Sequence, residues 1–162
     1  MIYESYLQRA QSEKKRIEKL VVKLKQMNTR KVDEFFHTLH DEAFEKIDCL
    51  KCANCCKTTS PLFRNIDIER LSKHLKIKEQ HFTETYLKID EDGDYVFKSA
   101  PCPFLMDDNY CSVYESRPNA CREYPHTNRK KMQQILKLTA TNAQICPAVA
   151  EIFQGIFAKL KI

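Results

Sequence analysis

Apolar residues recur at three- to four-residue intervals over long stretches of the chain, a pattern that predicts a mainly α protein. Near the start, Tyr3, Ala10, Ile17 and Leu24 stand seven apart, as do Tyr6, Glu13, Leu20 and Met27. That is a heptad seam with one polar break, at Glu13. The outer face carries Lys14, Lys15, Arg16, Lys19, Lys23 and Lys25. The segment reads as one long amphipathic helix packed on the domain, and a coiled-coil dimer arm is the less favoured use of the seam. Asn28 or Thr29 caps a second helix with the stripe Val32, Phe36, Leu39 and Ala43. Asp67 is expected to cap the next, over 68–75, and a further helix covers 78–87. Pro147 opens the last helix, with Val149, Ile152, Phe153, Ile156, Phe157 and Leu160 on one face.

Residues 86–89 and 95–97 flank an acidic turn with Gly93 at its tip and predict a short β-hairpin. The acidic run lacks the later carboxylate of a calcium loop and reads as a solvated turn. Residues 128–140 fit helix or strand equally. Periodicity fails at 48–61 and again at 99–125, where Pro101, Pro103, Pro118 and Pro125 interrupt the chain. Such stretches need a restraint other than periodic packing. The expected architecture is a small single-domain helical protein with an irregular core, one hairpin and a long N-terminal helix. Its segments are 1–47 (two helices), 48–148 (the irregular core) and 149–162 (the terminal helix).

Cysteine chemistry supplies the missing restraint. The chain has eight cysteines in 162 residues: Cys49, Cys52, Cys55, Cys56, Cys102, Cys111, Cys121 and Cys146. The charged N-terminal segment has no apolar stretch of the export type, and no apolar run approaches the roughly 18 residues needed to span a bilayer. A cytoplasmic protein with reduced thiols is expected, which favours metal binding over disulfides. The formal net charge of +5 falls to about +3 with one four-thiolate metal site and about +1 with two, so nucleic acid is not an expected partner.

Cys49, Cys52 and Cys55 are spaced Cys-x2-Cys-x2-Cys, so one loop can wrap a metal centre, and Cys56 follows at once. Cys146 lies at a helix N-terminus, where the dipole favours a thiolate. The triplet matches a ferredoxin-type run, and Cys102 or Cys146, each before a proline, offers a remote fourth ligand. Thiolates suit zinc as well, and two four-cysteine zinc sites would use all eight. A 4Fe–4S cluster is favoured over zinc. Cys55 and Cys56 pose a stoichiometric problem: in extended backbone adjacent side chains point apart, so two sites lie side by side or one of the pair is not a ligand. Arg117 and Arg122 are placed to hydrogen-bond a net-negative thiolate centre, with ion pairs to Glu115 or Glu123 as the plainer alternative. Tyr114 and Tyr124 are expected beside the site with their hydroxyls bonded. His126 is a minor candidate ligand, whereas His37, His40, His74 and His81 read as structural.

The ordered series Cys49-x2-Cys52-x2-Cys55-Cys56, Cys102-Pro-Phe-Leu, Tyr114-Glu-Ser-Arg117-Pro118 and Cys121-Arg-Glu-Tyr-Pro125, with Cys146-Pro, closely resembles the YkgJ-type CxxCxxCC cysteine-cluster family of zinc- or iron-chelating domains. The resemblance covers about residues 48–148 and leaves the N-terminal helix outside. It implies a small metal-binding domain, often iron–sulfur-containing, and a related cluster occurs in much longer lysine methylases acting on flagellin. A redox or accessory metal module is the leading expectation, with no enzymatic activity of its own. The alternatives are a methylase-like enzyme acting on protein side chains and a zinc-folded scaffold that recruits a protein partner through the N-terminal helix. With glycine only at 93 and 155, no phosphate-binding loop is present.

Overall fold

The computed structural model describes residues 1–162. In chain order the first helices are α1 (Glu4–Ser12), α2 (Lys14–Gln26), α3 (Thr29–Lys46) and the single turn α4 (Cys49–Cys52). Next come α5 (Asn54–Thr58), α6 (Asn65–Leu75), α7 (Glu79–Tyr86), the strands β1 (Leu87–Ile89) and β2 (Tyr95–Phe97), and α8 (Asn119–Glu123). Last are α9 (Leu136–Asn142) and α10 (Pro147–Leu160). The mainly α class with one hairpin is as expected from the periodicity. The chain forms two compact units, Met1–Cys52 with Pro125–Ile162, and Ala53–Tyr124.

In the first unit α10 packs on α3 and α1, and α2 packs on α9. Ala10, Ile17, Leu20 and Leu24 are almost fully buried, so the heptad seam is used within the chain and the packed-helix reading holds. The single long helix does not form. It breaks at Glu13 (φ −98°, ψ 12°) into α1 and α2. The physical reason is the one polar position of the seam: the Glu13 carboxylate turns to accept from the Arg16 guanidinium at 2.6 Å and from the Gln154 amide of α10. Asn28 caps α3 as expected, its Oδ1 accepting from the Lys31 N–H at 3.2 Å. Val32, Phe36, Leu39 and Ala43 all face inward, and Phe36 meets Phe153 of α10 edge-on at 6.1 Å. The undecided 128–140 stretch is a 3-10 turn (Met132–Ile135) running into α9. Asp33 holds its start by accepting from the Lys131 and Met132 N–H groups at 2.9 and 2.8 Å.

The second unit surrounds an aromatic cluster of Phe63, Phe82, Phe97 and Phe104 with Ile68, Leu71, Leu87 and Val113. The hairpin pairs Leu87 with Phe97 and Ile89 with Tyr95. Its turn is closed on Asp90, whose Oδ1 accepts from the Asp92 and Asp94 N–H groups; Gly93 takes φ 83°, open only to glycine without strain. Asp67 is not the N-cap of α6. The helix begins two residues earlier, Arg64 is the cap, and Asp67 sits in the first turn with its carboxylate reaching back to the Arg64 N–H at 2.9 Å. That is the acidic half of a capping box.

Candidate metal centre

The cysteine loop is more ordered than the sequence suggests. It consists of the turns α4 and α5, separated by Ala53 in the left-handed region (φ 47°, ψ 15°). Cys49 and Cys52 stand one helical turn apart in α4, so both thiols lie on the same side. Asp48 accepts the Cys52 N–H on its carbonyl at 3.0 Å and the Leu50 N–H on its carboxylate at 3.0 Å, which closes the turn. Cys55 and Cys56 lie in a helical turn, not in extended backbone as the sequence reading supposed. Their side chains therefore diverge by about 100° and still touch: the Cys55 thiol hydrogen-bonds to Cys56. None of the eight cysteines forms a disulfide.

The thiols of each unit influence one another. In the first, Cys146 is buried at the N-cap of α10 and feels both Cys49 and Cys52. Burial pushes its thiol up to about 12, outweighing the Val149 and Ala148 N–H groups that point at it. The helix terminus is thus placed as expected, but alone it does not make a thiolate. His126, which follows Pro125, belongs to the same unit and has a left-handed backbone (φ 63°).

In the second unit Cys56 acts electrostatically on Cys102, Cys111 and Cys121. The Cys102 N–H donates to the Cys56 carbonyl at 2.7 Å, joining two segments far apart in sequence. The loop from Cys102 to Cys111 then doubles back. Leu105 bridges Cys111, the Met106 N–H bonds the Tyr110 carbonyl at 2.9 Å, and the Ser112 N–H bonds the Phe104 carbonyl at 2.9 Å. Cys102 and Cys111 both pack against the aromatic cluster. Cys121 sits on α8, which Asp67 and Arg70 hold in place. Asp67 accepts the Asn119 N–H at 3.0 Å, and the Arg70 guanidinium bonds Asp67 at 2.7 Å and the Ser116 and Arg117 carbonyls at 3.2 and 2.9 Å.

Burial, and then the nearby thiols, push Cys121 up to about 12 and Cys102 up to about 11; Cys111 is raised for the same reasons. Cys56 is drawn down, to about 7, chiefly by the Cys55 thiol and further by its own N–H and Lys57. Arg117 is close enough to favour the thiolates of Cys111 and Cys121. It lies over the Tyr114 ring at 3.9 Å and donates to the Tyr114 carbonyl at 2.7 Å. Arg122 donates to the Glu115 main-chain carbonyl at 2.6 Å, a bond not anticipated by the expected carboxylate pair. Tyr124 is half-buried at the end of α8.

Half-buried thiols gathered around apolar rings, with a basic side chain alongside, are a donor set for a soft cation. Binding releases the thiol protons, and the ion's charge reverses the penalty on the thiolates. No three cysteine, histidine or carboxylate side chains already stand at coordinating distance from one point. Binding must therefore draw the sulfurs inward. The CxxCxxCC family model, described as "Putative zinc- or iron-chelating domain", matches residues 48–147. The chain belongs to this family. No curated protein and no solved structure matches it. Membership of the CxxCxxCC family supports metal binding in general, and the matched span ends at Pro147, so it takes in all eight cysteines. No helix is long and apolar enough to cross a membrane. Sequence reasoning overlooked Asp67 and Arg70 as supports of the Cys121 turn. The Arg64-to-Asp67 spacing of a capping box was the available signal, but the bond to Asn119 leaves no local trace.

Proposed function

We propose that this CxxCxxCC protein is a cytoplasmic redox or accessory module that holds an iron–sulfur cluster, of the 4Fe–4S type, through its cysteines. The ligands are drawn from Cys49, Cys52, Cys55, Cys56, Cys102, Cys111, Cys121 and Cys146. The observation that carries the reading is the placement of Cys146, followed by Pro147, near the Cys49–Cys52 turn. Bacterial ferredoxin-type clusters use a Cys-x2-Cys-x2-Cys run with a further Cys-Pro, and Cys49, Cys52 and Cys55 supply the run here. When bound, such a cluster supplies one-electron chemistry. Arg117, stacked on Tyr114, lies beside Cys111 and Cys121 and would offset negative charge on those two thiolates.

The test is anaerobic purification followed by iron, acid-labile sulfide and zinc analysis with visible absorption spectroscopy. Stoichiometric iron and sulfide with broad visible charge-transfer bands are expected. A colourless protein that holds zinc alone, and that takes up no iron on anaerobic reconstitution, refutes the cluster.

A further inference from the structure

We propose that the outer face of α2, the exposed stripe Lys15, Lys19, Val22 and Lys23, is a docking surface for an acidic amphipathic helix of another protein. The face lies outside the residues matched by the CxxCxxCC family, and its role does not depend on which metal the cysteines hold.

Three observations meet on this helix. The first is charge. The formal +5 of the chain divides into +7 on the first unit and −2 on the second. The excess is concentrated: α2 has six Lys and Arg residues against Glu18 alone, and residues 124–150, which include its packing neighbour α9, contain no Asp or Glu. The second is that the charges on this face are left unpaired. Arg9, Arg16, Arg30, Lys46 and Lys51 of the same unit each meet a carboxylate. Lys15, Lys19 and Lys23 meet none, and at spacings of four they repel one another along the helix. The third is apolar exposure. Val22 is 58% exposed between Lys19 and Lys23, although Ile17, Leu20, Val21 and Leu24 already supply the buried side of the helix. On α9, Leu138 is likewise 50% exposed next to Lys137.

An apolar contact framed by cations is the plan of a protein interface, in which charge steers the encounter and the apolar centre holds it. A nucleic acid is gripped by arginine forks and stacked rings, but the unpaired cations here are lysines and α2 has no aromatic residue. A membrane surface would need the apolar side of α2, which is buried against the protein, and one valine is too little to insert. An acidic amphipathic helix matches both parts of the face. Glutamates spaced four apart fall opposite the lysines, and an aliphatic stripe meets Val22.

The experiment uses the full chain and four probes: a Glu-rich helical peptide with a leucine stripe, a peptide of the same composition with the stripe scrambled, an oligouridine RNA, and vesicles containing phosphatidylserine. Peptides and RNA are titrated by fluorescence anisotropy and vesicles by co-sedimentation. The ordered peptide should bind about tenfold more tightly than the scrambled one, and its affinity should fall about tenfold between about 0.05 and 0.3 M salt. K15E/K19E/K23E should abolish binding, and the neutral K15Q/K19Q/K23Q should weaken it and flatten the salt dependence. K73E/K78E/K88E, the same charge change on exposed lysines of the second unit, should leave affinity within about twofold. V22S should weaken the ordered peptide about fivefold with its salt dependence unchanged. All of these side chains are exposed, so circular dichroism and metal content should match wild type in every variant. Equal binding of the two peptides, equal losses in the two glutamate triple variants, or wild-type affinity in V22S overturns the docking face. So does tighter binding of the RNA or the vesicles, or no binding of the ordered peptide.

Discussion

Replacing Asp67 tests what holds the Cys121 turn in place. Its carboxylate is 1% exposed and accepts from the Arg64 N–H at 2.9 Å, the Asn119 N–H at 3.0 Å and the Arg70 guanidinium at 2.7 Å. Alanine leaves two main-chain donors without their acceptor, at roughly 1–3 kcal/mol each. It also removes the counter-charge of Arg70, and breaking a fully enclosed ion pair costs roughly 3–5 kcal/mol. The Arg70 side chain retains 28% exposure, so the ion pair contributes well under that figure, and with about 1 kcal/mol for each orphaned donor Asp67→Ala should cost about 3 kcal/mol. Asp67→Asn keeps the shape and one acceptor oxygen and should cost about half as much. The assay is urea unfolding of the metal-loaded protein followed by far-ultraviolet circular dichroism, with metal content measured on each sample.

The pH dependence adds a second reading. Burial alone would raise the Asp67 carboxyl, but the Arg64 and Asn119 N–H groups and Arg70 together hold it below its ordinary value of 3.8. A depressed folded pKa means that this stabilisation is complete above 3.8 and is lost as pH falls from there through the folded value. The gap between wild type and Asp67→Ala should therefore be constant at neutral and mildly acidic pH and narrow below about pH 4. A variant within about 0.5 kcal/mol of wild type at pH 7, or a gap that widens with acid, refutes the reasoning.

Three further perturbations follow from the first unit. The His40 ring, bonded to Thr127 Oγ1 at 2.8 Å, is lowered from 6.5 mainly by burial, with Asp41 opposing and His37 adding to the shift; its stabilising effect is complete above 6.5 and lost as pH falls through the folded value. His40→Gln should flatten the stability loss between about pH 7 and 5, and an unchanged slope in chemical denaturation sinks the idea. A Cβ at Gly155 would enter the space of the Leu39 side chain, so Gly155→Ala should overpack by roughly 1–3 kcal/mol against a helix-propensity gain of about 1. In a Leu39→Ala background the same change should become stabilising; a double-mutant cycle that shows no coupling refutes the contact. Cys52→Ser should lose metal and cooperative unfolding together, because metal ligation contributes to folding, and retention of both in that variant would contradict its role as a ligand.

Much of the fold was legible where the cause is local. Asn28 caps α3, Pro147 opens α10 and Gly93 turns the hairpin, each through chemistry contained within a few residues of sequence. The break at Glu13 was visible as a polar intrusion, but its resolution by Gln154 depends on a contact 141 residues away. Asp67 was recognised as a helix-start residue, but its exact position depends on the backbone of Arg64 and its larger role on Asn119. The eight thiols were legible as a set because their residue types and motifs are explicit. Their grouping was not: spacing alone does not say that Cys56 meets Cys102, and the helical turn that separates Cys55 from Cys56 depends on Ala53 taking a conformation for which alanine carries no sequence signal.

The chain path has a consequence for the order of assembly. The first unit is interrupted by the whole of the second, so α3 is synthesised early while α10, which packs against it, comes last. Residues 53–124 are contiguous and have all the contacts internal to their unit available before α10 exists. At roughly 5–20 residues per second, about 2–7 s separate the synthesis of Tyr124 from that of Leu160. During that interval the aromatic cluster of the inserted unit is already complete in sequence, while the buried faces of α1 and α3 remain without their α10 partner. The interrupted half is therefore the one whose apolar faces wait longest for their partner during synthesis, and the inserted half is the one completed first.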